Sequence, residues 1–200
     1  QNNIGFLYLS GKGVEQSDAE AVKWFRRAAE QGNPSGSYNL GHMYENGRCV
    51  PRSCDEAAKW YRKAAEQGHK LAQNCLGLLC EGGRGVAQSY AEAANWFRKA
   101  AEQGYVVSMY NMGVYCKDGK GVAQSYEEAA MWFRKAAEQG YADAQNWLGV
   151  LYANGQGVPK SLEESVKWYR AAAEQGLAMA QFNLGYRYQK GLGVVQSYVE

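Results

Sequence analysis

No stretch of this chain stays apolar for the ~18 residues that a membrane-spanning helix needs, and nothing at its start resembles a signal peptide. Direct membrane insertion is therefore not expected. Charge of one sign is lacking too: 22 basic residues face 20 acidic ones, for a net charge of +2. That balance makes no case for nucleic acid or an anionic membrane as the main partner. Histidine occurs twice, as His42 and His69, and no His/Cys set has zinc spacing, so no metal site is expected. No Ser, Cys or Thr pairs with a His base and an orienting third group, so catalysis by these residues is not expected. The five cysteines, Cys49, Cys54, Cys75, Cys80 and Cys116, are odd in number and irregular in spacing. They read as buried or half-buried thiols rather than a disulfide framework. Unpaired thiols favour the cytoplasm. The chain begins at Gln1 without Met, which leaves a missing targeting segment, and so a periplasmic or secreted location, open.

What is present is repetition. Trp-(Phe/Tyr)-Arg-x-Ala-Ala-Glu-Gln-Gly runs from Trp24 to Gly32, Trp60 to Gly68, Trp96 to Gly104, Trp132 to Gly140 and Trp168 to Gly176. Successive tryptophans are 36 residues apart with no insertion. A fixed period of that length signals a solenoid, in which each unit packs on its neighbours. The units are a partial repeat at 1–32, full repeats at 33–68, 69–104, 105–140 and 141–176, and a partial repeat at 177–200. Both ends fall inside a repeat and carry no polar capping unit, so a fragment of a longer array, flanked by further repeats of the same chain, is expected.

Each unit reads as two helices. In the trailing one, Ala57, Trp60, Tyr61, Ala64 and Ala65 make an i, i+3, i+4, i+7, i+8 stripe. Ser-x-x-Glu pairs at Ser17/Glu20, Ser53/Glu56, Ser89/Glu92, Ser125/Glu128, Ser161/Glu164 and Ser197/Glu200 predict reciprocal capping boxes. The leading helix carries a second stripe, for example Ala144, Trp147, Leu148, Leu151 and Tyr152. A glycine sits in it at Gly41, Gly77, Gly113, Gly149 and Gly185. Mid-helix Gly costs about 1 kcal/mol against Ala, so its recurrence predicts a close helix–helix approach. The repeated tryptophans read as core packing. Gly-x-Gly turns such as Gly83-Gly85 follow helices rather than strands, so no phosphate cradle and no cofactor are expected. Arg-Lys pairs such as Arg62-Lys63 share their helices with glutamates and read as a charge-mixed outer face.

The order Ala-Gln-x-x-Leu-Gly-x-x-Tyr-x-x-Gly-x-Gly-Val, followed by Ala-x-x-Trp-(Tyr/Phe)-x-x-Ala-Ala-Glu-Gln-Gly, resembles the Sel1-like repeat, cleanest from Ala144-Gln145 to Gly176. This family is related to the tetratricopeptide repeats. The resemblance implies an all-α fold, a right-handed α-solenoid of antiparallel helix pairs. Departures are Gly36-Ser37 for Ala-Gln, Cys49 for a loop glycine, Cys80 and Cys116 for Tyr, and Arg187 for Met, Leu or Tyr. A cysteine-rich branch of the family, known from Helicobacter, ties neighbouring helices with a disulfide per repeat. Its cysteine positions fall here on Ala65 and Gln73, Ala101 and Met109, and Ala137 and Gln145, so this chain lies outside that branch. The penicillin-related activity of that branch is not expected either.

By resemblance to tetratricopeptide arrays, the other face of the leading helices lines a concave groove. Its variable positions are Asn2 and Phe6; Tyr38, His42 and Glu45; Asn74, Leu78 and Glu81; Tyr110, Val114 and Lys117; Asn146, Val150 and Asn154; and Phe182, Tyr186 and Gln189. Aromatics offer contact area and Asn can hydrogen-bond a peptide main chain. The function expected is a non-catalytic protein–protein interaction adaptor holding a protein or peptide segment in that groove. Two alternatives are a recruitment module of a larger enzyme or envelope complex, and a carbohydrate or cell-wall binder.

Overall fold

The computed structural model describes residues 1–195, so the Ser197/Glu200 pair lies outside the described residues. Among these are eleven α-helices and no strand, grouped in two compact units. The first unit holds α1 (Asn2–Ser10), α2 (Asp18–Glu30), α3 (Pro34–Asn46), α4 (Cys54–Glu66), α5 (Lys70–Gly82) and α6 (Tyr90–Glu102). The second holds α7 (Val106–Asp118), α8 (Tyr126–Glu138), α9 (Ala142–Asn154), α10 (Leu162–Glu174) and α11 (Ala178–Lys190). Within each unit every helix packs on the next in sequence, odd-numbered helices leading and even-numbered ones trailing.

The trailing helices start where the Ser-x-x-Glu pairs placed them, but only half of each predicted box forms. Ser17, Ser53, Ser89, Ser125 and Ser161 accept the amide of the Glu three residues on, at 3.1–3.3 Å. The serine amide does not go to that glutamate. It donates to a carbonyl of the preceding leading helix, as in Ser53 to Tyr44 at 3.0 Å and Ser89 to Cys80 at 2.9 Å. Tertiary structure has claimed the donor, which frees the glutamates for other partners. Glu56 pairs with Lys59, for instance, and Glu92 with Arg62.

The core is built from the residue after each tryptophan. Phe25, Tyr61, Phe97 and Phe133 are fully buried, and Tyr169 nearly so. Each ring lies against the mid-helix glycine of the leading helix before it. A Cβ on Gly5, Gly41, Gly77, Gly113 or Gly149 would stand 2.5–2.8 Å from ring carbons of Phe25, Tyr61, Phe97, Phe133 or Tyr169. Alanines such as Ala57, Ala64 and Ala65 fill the remaining contact. The tryptophans stand at the margin instead. Trp96 and Trp132 are buried, but Trp24, Trp60 and Trp168 are only half-buried. A cation of the same helix covers each: Arg27 on Trp24, Lys63 on Trp60, Lys99 on Trp96, Lys135 on Trp132 and Lys167 on Trp168. The basic residues are thus largely spent within the fold.

Side-chain amides stitch neighbouring helices together. Gln73 donates to the Ala65 carbonyl and Gln145 to the Ala137 carbonyl, both at 3.1 Å. The Gln of the Glu-Gln-Gly motif then donates to these same side chains, Gln103 to Gln73 and Gln175 to Gln145, both at 2.8 Å. Buried amides satisfied in this way are not a burial penalty.

The departures from the repeat have local causes. Where the leading helix has Tyr, an arginine of the preceding trailing helix donates to its hydroxyl, Arg26 to Tyr44 and Arg134 to Tyr152 at 2.7 Å. At Cys80 the hydroxyl is absent, and the equivalent Arg62 reaches past it to Glu92 at 2.9 Å. Arg187, in place of an apolar residue, lays its guanidinium over the Tyr169 ring at 5.9 Å. Cys49 is the one non-glycine at positive φ among the described residues, 55°. At the equivalent Gly85 a Cβ would meet backbone at 2.2 Å.

The leading helices are capped unevenly. Asn33 accepts the Gly36 amide at 2.8 Å, His69 accepts the Ala72 amide through Nδ1 at 3.3 Å, and Tyr105, Tyr141 and Leu177 make no side-chain cap. A His can accept there only while neutral. Burial holds its pKa below the usual 6.5.

Two predictions follow from this packing and capping. Gly113→Ala should destabilise by up to about 2 kcal/mol, since overpacking costs ~1–3 kcal/mol and helix propensity returns ~1. Gly82, whose added Cβ would meet only the flexible Arg84 side chain, at 3.3 Å, should gain roughly 0.5 kcal/mol on the same change. Urea melts of the two variants decide, and equal effects would remove the ring from Gly113. The second concerns His69. With its pKa depressed in the fold, the unfolded chain binds more protons. Its contribution is therefore complete above about pH 6.5 and lost as pH falls through the folded-state value. His69→Asn, copying the Asn33 cap, should flatten the fall in melting temperature between pH 7 and 5. Parallel curves for both proteins would show that the imidazole does not carry the cap.

Candidate functional site

The leading helices are poor in charge compared with the trailing ones. α1 carries none, α3 only Glu45 and α9 only Asp143, whereas α2 carries Asp18, Glu20, Lys23, Arg26, Arg27 and Glu30. α5 adds Lys70 and Glu81, α7 Lys117 and Asp118, and α11 Arg187 and Lys190, still fewer than on a trailing helix.

In the first unit, Phe6 is exposed at 46% and meets the edge of Phe25 with ring centroids 5.5 Å apart. Tyr38 is half-buried, packed at 5.8 Å on Tyr61 and stacked at 4.9 Å and 24° on His69. His42 and Leu78 are exposed. Asn74 is buried, and the half-buried Asn2 accepts from the Asn39 side chain at 2.8 Å. In the second unit, Tyr110 is half-buried against Phe133 at 5.9 Å and Tyr141 at 5.2 Å. Val114 and Val150 are half-buried, while Phe182 and Tyr186 are exposed at 71% and 47%. Asn146 is buried and accepts from Asn183 at 3.0 Å. Each unit thus brings its aromatic and aliphatic candidates to the leading-helix surface, but Asn74 and Asn146 are withdrawn from solvent. Tyr38 and Tyr110 are partly structural, each sealing the ring beneath it.

Sequence reasoning missed a polar chain across the first unit. The Tyr61 hydroxyl donates to Glu45 Oε2 at 2.8 Å, and Arg84 approaches Glu45 Oε1 at 3.5 Å. The Cys75 thiol neighbours Tyr61, and burial, reinforced by Glu45, pushes it up to about 12. The Tyr61 phenol is raised as well, first by burial, then by Cys75 and Glu45. Cys80 is pushed up to about 11 by burial and then by Glu92. At Glu92 burial works upward, but hydrogen bonds from Arg62 and Trp96 outweigh it and hold the carboxyl below its usual range. Both thiols are protonated at neutral pH and are poor nucleophiles. The residues just before the leading helices, His69 and Tyr141, were missed as well. Their signal was available: the position reads Asn33, His69, Tyr105, Tyr141 and Leu177, as variable as the candidate face itself.

Among the described residues no group of three or more His, Cys, Asp or Glu could hold a metal, and no helix is long and apolar enough to cross a membrane. The chain is similar in structure to a protective antigen of uropathogenic Escherichia coli strains that displays an SLR fold. The two share 41% identity and a TM-score of 0.95 over 98% of this chain, which spans 42% of the antigen's length. A Sel1 repeat protein from Oxalobacter formigenes is 37% identical, with a TM-score of 0.86 over 99% of this chain and 79% of that protein. Cysteine rich protein B of Helicobacter pylori is 25% identical over 66% of this chain and 96% of its own, with a TM-score of 0.53. No curated protein sequence matches the chain. The Sel1 repeat profile matches at 1–33, 34–69, 70–105, 106–141, 142–177 and 178–200, and the chain, an all-α repeat of packed helix pairs, belongs to the Sel1 repeat family.

Proposed function

We propose that this chain is a non-catalytic adaptor and that the leading-helix face of its units binds a protein or peptide segment. Sel1 repeat proteins are generally protein-interaction scaffolds, which supports the coarser part of this reading. The observation that carries the finer part is the composition of that face. It is rich in aromatic and aliphatic side chains, carries fewer charges than the trailing helices, and varies from repeat to repeat, while the trailing helices are charged and occupied with their own ion pairs. Aromatic anchors at a partly desolvated surface are the usual source of binding energy in protein interfaces. A carbohydrate binder would use exposed amides beside those aromatics. With Asn74 and Asn146 buried, neither those amides nor hydrogen bonds from them carry the reading, which rests on the aromatic and aliphatic side chains.

The test uses variants at exposed positions, since Tyr38 and Tyr110 also support the core. Leu78→Ser in the first unit and Phe182→Ser with Tyr186→Ser in the second should leave the melting temperature close to wild type. A partner cross-linked to wild type in source lysate and re-bound after purification should lose roughly 30-fold in affinity to the combined variant, as when a hot spot worth ~2 kcal/mol is removed. Unchanged affinity would move the interface to the trailing helices or the loops.

A further inference from the structure

We infer that the second unit carries, on its leading-helix face, a subsite for one cationic side chain, an arginine or lysine of the bound segment, formed by Tyr110, Tyr141, Trp147 and Asp143. This rests on the segment-binding reading and names one chemical requirement of the segment.

Tyr110 comes from α7, and Tyr141 immediately precedes α9. Their centroids are 5.2 Å apart with planes inclined at 44°, so the two rings meet at a tilt, and both are half-buried. Trp147 lies further along α9, braced by a stack on Phe133 at 6.1 Å and 11°. The chain already places an ammonium against this group. Lys117 Nζ stands 4.6 Å from the Trp147 ring centroid, paired with the Asp118 carboxylate. Aromatic faces attract such cations through their quadrupole. Asp143, in the first turn of α9, is exposed and has no cationic partner among the described residues.

The field at the site agrees. The Tyr110 and Tyr141 phenols are both raised, first by burial and then by Asp143. Asp118 adds to the effect at Tyr110, where a hydrogen bond with Trp147 acts in the opposite direction. Burial disfavours any charge there, but the carboxylates' share of the effect shows a field that favours a positive one. The first unit lacks the set: at the equivalent positions it has His69 for Tyr141, Leu71 for Asp143 and Cys75 for Trp147. The subsite is therefore not a consequence of the repeat itself.

Proton–nitrogen NMR spectra of the 200-residue chain, titrated with N-acetyl-arginine amide, N-acetyl-lysine amide or the neutral N-acetyl-citrulline amide, test this. The two cations should shift the amides around Tyr110, Tyr141 and Asp143, and citrulline should bind roughly threefold to fivefold more weakly, the margin of an exposed cation–π contact. Asp143→Asn should erase that margin without altering the melting temperature. Lys117→Gln, which withdraws the internal ammonium, should tighten cation binding. Citrulline shifts equal to those of arginine, or shifts centred elsewhere, would overturn the subsite. Small cations need no partner protein, so the two readings fail separately. Loss of a captured partner in the serine variants without cation preference sinks the subsite alone. Cation preference with unchanged partner affinity sinks the segment-binding face.

Discussion

An aromatic ring pressed onto a glycine in the middle of the neighbouring helix is the contact on which the rest of this structure depends. At Gly41, Gly77, Gly113 and Gly149 the space that a Cβ would need is already occupied by Tyr61, Phe97, Phe133 or Tyr169. The missing side chain lets the two helix backbones close on each other, and the ring then buries most of its apolar area in one place. Burying such a ring is worth on the order of 2–3 kcal/mol, against ~1 kcal/mol for a glycine inside a helix. The alanines at the same interface extend the close approach along the helices. Because that geometry recurs every 36 residues, the serine caps, glutamine bonds and arginine contacts recur with it.

Polar groups adapt around this constant contact. The arginine that meets a tyrosine hydroxyl at Tyr44 and Tyr152 turns to Glu92 where Cys80 has removed the hydroxyl. The cap before the leading helix is an amide at Asn33, an imidazole at His69 and absent at Tyr141. These exchanges alter the surface and its response to pH while leaving the ring and its glycine in place. A repeat can therefore keep one core and present different chemistry from unit to unit, which suits an interaction scaffold.

Much of the fold was legible in order along the chain. Helix starts, the glycine approach and the apolar stripes follow from spacing, because helical periodicity and capping are local effects. The candidate face was legible only in part. Phe6, Leu78, Phe182 and Tyr186 are exposed as their positions suggested. Asn74 and Asn146 are not, since an amide looks polar in sequence whether it faces water or is buried, as Asn146 is with Asn183 as its partner. The tryptophans were assigned to the core by their recurrence, yet three stand half-exposed under cations of their own helices.

The sequence by itself determined the repeat length, the helical class and the residue pairs that let adjacent helices touch, because each rests on spacing along one chain. It also determined which positions vary from unit to unit, though not which of them face solvent. Tertiary structure alone decided where the second hydrogen bond of each helix start goes, since the carbonyl that takes it belongs to another helix. It alone joined Tyr61 to Glu45 and Tyr110 to Tyr141, residues 16 and 31 positions apart that no periodic stripe relates. Contacts of that kind depend on how far each helix rotates about its neighbour. That rotation is set by packing of the whole interface rather than by any one residue.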